Sequence, residues 1–189
     1  MGRLRRTIES RDPRQQILRV GLRVGVVVPL GFGFAELVIG NSQASLFVGF
    51  GLFALLAMAN FGGPPRRRLT AYVVTTLVCL PLIVGGTALS GNPWAGAAAA
   101  LLVGFSVRFA GVFGGYTAAA GITVILSFIL AVAIDAPLSS LGARLGGWLG
   151  AGALATAGAM LLWPVYERNR LLRSLGGVCE GLALSLIHI

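Results

Sequence analysis

Of the 189 residues, 56% are hydrophobic and only 11% are charged, and mean hydropathy is +0.87; a soluble domain carries about 25% charged residues, so a water-soluble globule is excluded. All 15 basic residues are arginine, set against 6 acidic ones, for a net charge of +9. These arginines cluster beside apolar runs, as in cytoplasmic flanks of membrane spans, which argues against nucleic acid as a partner.

A span needs about 20 residues to cross roughly 30 Å of hydrocarbon, so six spans fit this length with short connectors. The expected fold is all-α, a polytopic bundle of six transmembrane helices in a lipid bilayer. Residues 1–16 form a basic N-terminal segment, and the first span covers residues 17–39, with Arg19 and Arg23 at its entrance. Small residues at Ser42-Gln43-Ala44 also allow a signal-peptide reading. Against it, Glu36 interrupts the apolar run and five further apolar runs follow.

The second span, 45–61, ends in Gly62-Gly63-Pro64-Pro65 and the run Arg66-Arg67-Arg68; the two prolines cannot continue a helix. The third, 69–89, contains Pro81, an expected kink whose freed carbonyl needs another partner. After the turn Ser90-Gly91-Asn92-Pro93, the fourth span, 94–113, opens on Trp94 and passes through an alanine-rich stretch to a break at Gly114-Gly115. The fifth covers 116–134, and the sixth, 141–163, stops at Pro164. Residues 164–183 begin a basic cytoplasmic tail. The terminal Leu184-Ser185-Leu186-Ile187-His188-Ile189 reads like an in-frame translation of a transposon-end sequence used in library preparation, which places the end of native sequence near Ala183.

With the N-terminus inside, every arginine except Arg144 falls on the cytoplasmic side, and only an even number of spans preserves that bias. The expected location is therefore a plasma membrane, with both termini cytoplasmic. Arg-only basic usage with abundant Ala, Gly and Val fits a high-GC bacterium.

Ionisable groups inside spans cost roughly 2.5–3.5 kcal/mol at a helix centre and are functional candidates by default. Arg23 and Arg144 lie near span ends, where snorkelling to the headgroups accounts for them. Arg108 sits deeper, about five residues from the inner break, flanked by Phe105 and Phe109. It either snorkels or holds an anionic substrate through paired hydrogen bonds, with the two rings offering faces to an aromatic group. Glu36 is either an outer-interface residue or a proton-coupling carboxylate. Gly142, Gly146 and Gly150 recur every fourth position on the sixth span, a small-residue face that packs against another span of this chain or against another subunit, giving a homo-oligomer.

Catalytic residues are not expected: there is no Ser-His-Asp set, no paired carboxylates and no H-E-x-x-H, and the single His is His188. Cys79 and Cys179 have no metal-ligand spacing and read as reduced thiols without a chemical role. Neither Gly31-Phe32-Gly33 nor Gly49-Phe50-Gly51 sits in a strand-to-helix turn, so neither is a nucleotide loop. No cofactor or metal is expected.

Several stretches carry a family likeness in their order and spacing. These are Phe53-Ala54 followed by Ala59-Asn60-Phe61-Gly62-Gly63-Pro64 and a basic run, then Gly104-Phe105 and Phe109-Ala110-Gly111 through Gly114-Gly115-Tyr116-Thr117-Ala118-Ala119-Ala120-Gly121. Gly147-Trp148-Leu149 and Leu161-Leu162-Trp163-Pro164 complete them. Over residues 18–183 the chain resembles bacterial inner-membrane proteins of the FUSC family, the fusaric acid resistance and aromatic acid exporter-like group. The resemblance implies an export-type permease for aromatic carboxylates or related amphipathic organic anions. It also implies a longer protein, in which a cytoplasmic segment and a second membrane block follow this one, so this portion is expected to insert but not to transport alone. Where the family often has Asp, this chain has Asn60, which removes a titratable group from the end of span two. The alternative function is a non-transporting membrane scaffold or assembly subunit, favoured by the scarcity of intramembrane polar groups and by the glycine face of the sixth span.

Overall fold

A computed structural model describes residues 16–59 and 61–161. Among these residues the chain is all-helical, without strands. In chain order the helices are α1 (Gln16–Ile39), α2 (Ser42–Phe53), α3 (Pro65–Leu89), α4 (Pro93–Ala110), α5 (Gly115–Ala133) and α6 (Leu141–Leu161). Four segments are long and apolar enough to cross a membrane: Gly21–Ile39 in α1, α3, Pro93–Phe113 covering α4 and its extension, and α5. Helix α2 is shorter, and α6 dilutes its apolar residues with glycine.

Each start has a local cause. Asn41 precedes α2 in extended conformation, and its side-chain oxygen accepts from the backbone N–H of Gln43 and Ala44 at 3.0 and 3.2 Å. Asn92 does the same for α4, accepting from Trp94 and Ala95, with Pro93 in the first turn. Both satisfy orphan donors of a first turn. The Pro64-Pro65 pair starts α3 instead of merely ending the helix before it: Pro65 takes the first helical position, where no donor is needed. The arginine run 66–68 is consequently helical. A reversal at Gly114 and Gly115, with φ of +72° and +60°, separates the 3-10 turn 111–113 from α5.

Successive helices alternate in direction, as their end-to-end hydrogen bonds show. One end of the bundle gathers the end of α1 and the starts of α2, α4 and α6 with the ends of α3 and α5. Arg144 lies there, bonded to Gln43, Thr87 and Ile134. The opposite end gathers the start of α1, the end of α2, and the starts of α3 and α5. There Arg23 bonds Leu56, Tyr116 bonds Gly62 and Arg68 bonds Ala159 near the end of α6.

The inside is built by α2, α3, α5 and α6. Helix α6 packs mainly on α2 and α3, and α3 on α5, while α1 leans on α2 and α4 on α5. Phe47, Leu52, Leu55, Leu56, Tyr72, Ile83 and Trp148 are fully buried. Close approach depends on small residues. A Cβ at Gly51 would lie 2.6 Å from that of Ala151, and one at Gly86 would lie 2.7 Å from that of Ala131. On α6 the inward face is Arg144, Gly147, Trp148, Ala151, Ala155 and Ala159, all buried. Gly142, Gly146 and Gly150, expected to pack against another span or another subunit, lie on the side of α6 turned away from α2 and α3, and among the described residues a Cβ at any of the three would meet nothing within 4 Å.

Candidate functional site

Two polar constellations stand at opposite ends of the bundle. The first is centred on Arg144, one turn into α6 and fully buried. Its Nε donates to Gln43 Oε1 at 3.0 Å, Nη1 to Thr87 Oγ1 at 2.9 Å and to the Ala131 carbonyl at 3.1 Å, and Nη2 to the Ile134 carbonyl at 2.7 Å. The guanidinium also lies over the Phe47 ring, 5.4 Å from its centroid, a favourable cation–π distance. One side chain thus joins α2, α3 and the unwinding end of α5. Snorkelling, expected for Arg144 at the headgroups, is not what the side chain does; it turns into the bundle, where carbonyls at the C-terminal end of α5 supply negative partial charge. Asp135 is exposed nearby, in an open depression shared with Thr87, Ser90 and Leu138.

The second constellation surrounds the broken end of α2. After Phe53 the backbone widens into a π turn, Ala54–Met58, then becomes extended at Ala59. Span two was expected to stay helical to Phe61; instead Ala59 and Phe61 are buried but non-helical. Buried backbone outside a helix must find partners, and they come from other helices. Thr123 Oγ1 of α5 donates to the Ala54 carbonyl at 2.9 Å, and Arg23 Nη2 of α1 donates to the Leu56 carbonyl at 2.6 Å. The Tyr116 hydroxyl donates to the Gly62 carbonyl at 2.8 Å. Phe61 meets Tyr72 edge-on at 4.9 Å between centroids and lies 6.0 Å from Tyr116. Arg68, in the first turn of α3, is buried and reaches the Ala159 carbonyl of α6 at 3.1 Å. Asn60 lies outside the described residues, as do the basic N-terminus, the tail from residue 164 and Cys179.

The residues singled out from sequence fall elsewhere. Phe105 and Phe109 stack with centroids 6.2 Å apart, and Phe109 meets Phe113 edge-on. Both rings and Arg108 between them are exposed on the open side of α4 and enclose no cavity among the described residues. Glu36 is exposed near the end of α1, at the end of the bundle opposite Arg108. Cys79 is a buried free thiol.

Sequence reasoning read Arg68 only as part of a basic flank, and it turned Arg144 toward the headgroups instead of into the bundle. A signal existed for Arg144. Positions 144, 148, 151, 155 and 159 step by three or four along one helical face, and they carry Arg, Trp and three Ala, a large side chain with small ones beside it. The competing 142, 146, 150 stripe lies on a different face, and glycine alone does not say which face turns inward. No family model, curated protein or solved structure matches this chain, so the FUSC resemblance stands on the quoted residues alone.

Proposed function

We propose that this chain is the first membrane block of an export-type permease for aromatic carboxylates or related amphipathic organic anions, crossing a bacterial inner membrane six times with both ends in the cytoplasm. The observation that carries the transport reading is the broken end of α2. In a bilayer, non-helical backbone persists only where protein buries it or where it lines an aqueous path, and transporters build their sites at such interrupted helices. A π turn is itself enriched at functional sites. This break coincides with the first of the several stretches whose order and spacing carry the family resemblance.

The topology draws support from the alternating directions of the helices, which bring the start of α1 and the end of α6 to the same end of the bundle. Arg23, Arg66, Arg67, Arg68 and Arg108 lie at that end, as the positive-inside rule requires of a cytoplasmic face. Cysteines introduced at Asn41, Ser90 and Ser139 are expected to react with an impermeant reagent from outside, and one at Arg67 is not. The reversed labelling pattern refutes this orientation.

In this reading Arg108, Phe105 and Phe109 form a wall that becomes a substrate surface when a second membrane block or a second copy of the chain covers α4, and Glu36 is a coupling carboxylate. The second reading is a membrane scaffold, favoured by the open glycine face of α6. Cells expressing the full-length gene are loaded with benzoate, and its loss is followed. Efflux several-fold faster than in cells without the gene is expected; equal rates reject the permease and leave the scaffold.

A further inference from the structure

We propose that the broken end of α2 holds a monovalent oxyanion, a carboxylate or a phosphate monoanion, between Arg23 and Arg68. The site deepens the permease reading by giving its anion a place on the cytoplasmic side, and it depends on that reading only for the ligand's biological role.

The argument starts from unmet donors. Arg68 is 4% exposed, and its Nη2 caps the Ala159 carbonyl, yet its buried Nε has no hydrogen-bond partner. Arg23 repeats the pattern, with Nη2 on the Leu56 carbonyl and a buried Nε without a partner. A buried polar group left unsatisfied costs about 1–3 kcal/mol, more when charged, so two at one end of one bundle call for an explanation. Arg144 gives the contrast, since it is equally buried and each of its three nitrogens donates.

Charge makes the same case. Capping helix C-termini is a sound structural role for arginine, but each terminus supplies only about −0.5 charge. The terminal turn of α2 therefore offsets about half of one guanidinium charge, and the Ala159 carbonyl carries no net charge, leaving about +1.5. Among the described residues the only carboxylates are Glu36 and Asp135, and both lie at the Arg144 end. Arg66 and Arg67 add positive charge beside the site. One monovalent oxyanion would offset most of the residual charge and accept from both Nε donors through charge-assisted bonds.

The two acceptors locate the site. Leu56 lies in the π turn and Ala159 on α6, and both belong to one buried cluster with Ala59, Ala71, Tyr72 and Ala155. Phe61 and Tyr72, packed edge-on at the same end of the bundle, provide apolar and aromatic surface of the kind an aromatic carboxylate needs.

The test uses the whole chain, labelled with ¹⁵N-arginine, in nanodiscs of zwitterionic lipid. Benzoate, inorganic phosphate and, separately, nanodiscs doped with phosphatidylglycerol are the probes. Two arginine Nε–H resonances are expected to shift and saturate, and single Arg23→Gln and Arg68→Gln variants assign them. Benzoate binding about tenfold weaker in either variant, and unchanged in Arg66→Gln, supports the site with a small carboxylate as occupant. Shifts produced only by phosphate or phosphatidylglycerol also support it, with a phosphate or a lipid headgroup as occupant. The wild-type spectrum keeps the test decisive even if Arg68→Gln does not fold: no saturable Nε shift with any probe overturns the proposal. Binding at the site without benzoate efflux refutes the permease and leaves the site standing. Efflux with benzoate binding indifferent to Arg23 and Arg68 does the reverse.

Discussion

Arg144→Met is expected to destabilise the folded chain by about 2–5 kcal/mol, as four hydrogen bonds at about 0.6 to 1.3 kcal/mol each imply for groups buried in a membrane protein. Methionine fills similar volume, so the loss comes from polarity and not from a cavity. It strands the carbonyls of Ala131 and Ile134 and leaves the side chains of Gln43 and Thr87 to find new partners. The effect is read as a lowered midpoint of unfolding in detergent, followed by loss of helical circular dichroism. Arg144→Lys should recover less than half of it, because an ammonium is a compact point charge whereas the guanidinium's fixed fork reaches α2, α3 and α5 at once. A midpoint unchanged in both variants would mean that the guanidinium does not join these helices.

Gly147→Ala is expected to cost about 3 kcal/mol, at the upper range for overpacking a core, while Gly146→Ala should be neutral or slightly stabilising. The two positions are adjacent on α6 and chemically identical, so propensity cannot separate them; alanine gains up to about 1 kcal/mol over glycine in any helix. Space does separate them. A Cβ at Gly147 would run into the backbone carbonyl of Ala44 on α2, with the Ala44 Cα at 3.1 Å, and a backbone cannot step aside as a side chain can. A Cβ at Gly146 meets nothing within 4 Å. The same unfolding assay decides the comparison, and equal losses at both sites would place Gly146 in a packed interface and reverse the assignment of faces on α6.

These two results bear on the face of α6 and on Arg144, the points at which sequence and structure part. Apolar runs of helical length and the Pro and Gly at connectors were enough to mark where most helices begin and end. The break at Gly114-Gly115 and the turn before Pro93 are local features, written in residues that restrict or free the backbone. The positive ends of the helices were equally legible, because arginine declares itself in any one-dimensional pattern.

What the sequence could not decide is which way each helix faces. In a soluble helix the polar side marks the outside, but here lipid and core are both apolar, so a helix such as α4 or α6 carries little contrast between its sides. Gly142, Gly146 and Gly150 therefore looked like the packing face although Gly147 makes the closest approach to a neighbouring backbone. Arg144 looked like a headgroup anchor, since its acceptors lie 10 to 101 residues away along the chain and no local window contains them all. The π turn at Ala54–Met58 has the same origin. Its residues are ordinary helix formers, and it persists because Thr123 and Arg23, from two other helices, donate hydrogen bonds to the carbonyls of Ala54 and Leu56 within it. Helix length and position are thus properties of the local sequence, whereas facing, burial of charge and the break in α2 are decided by long-range partners that only the folded bundle brings together.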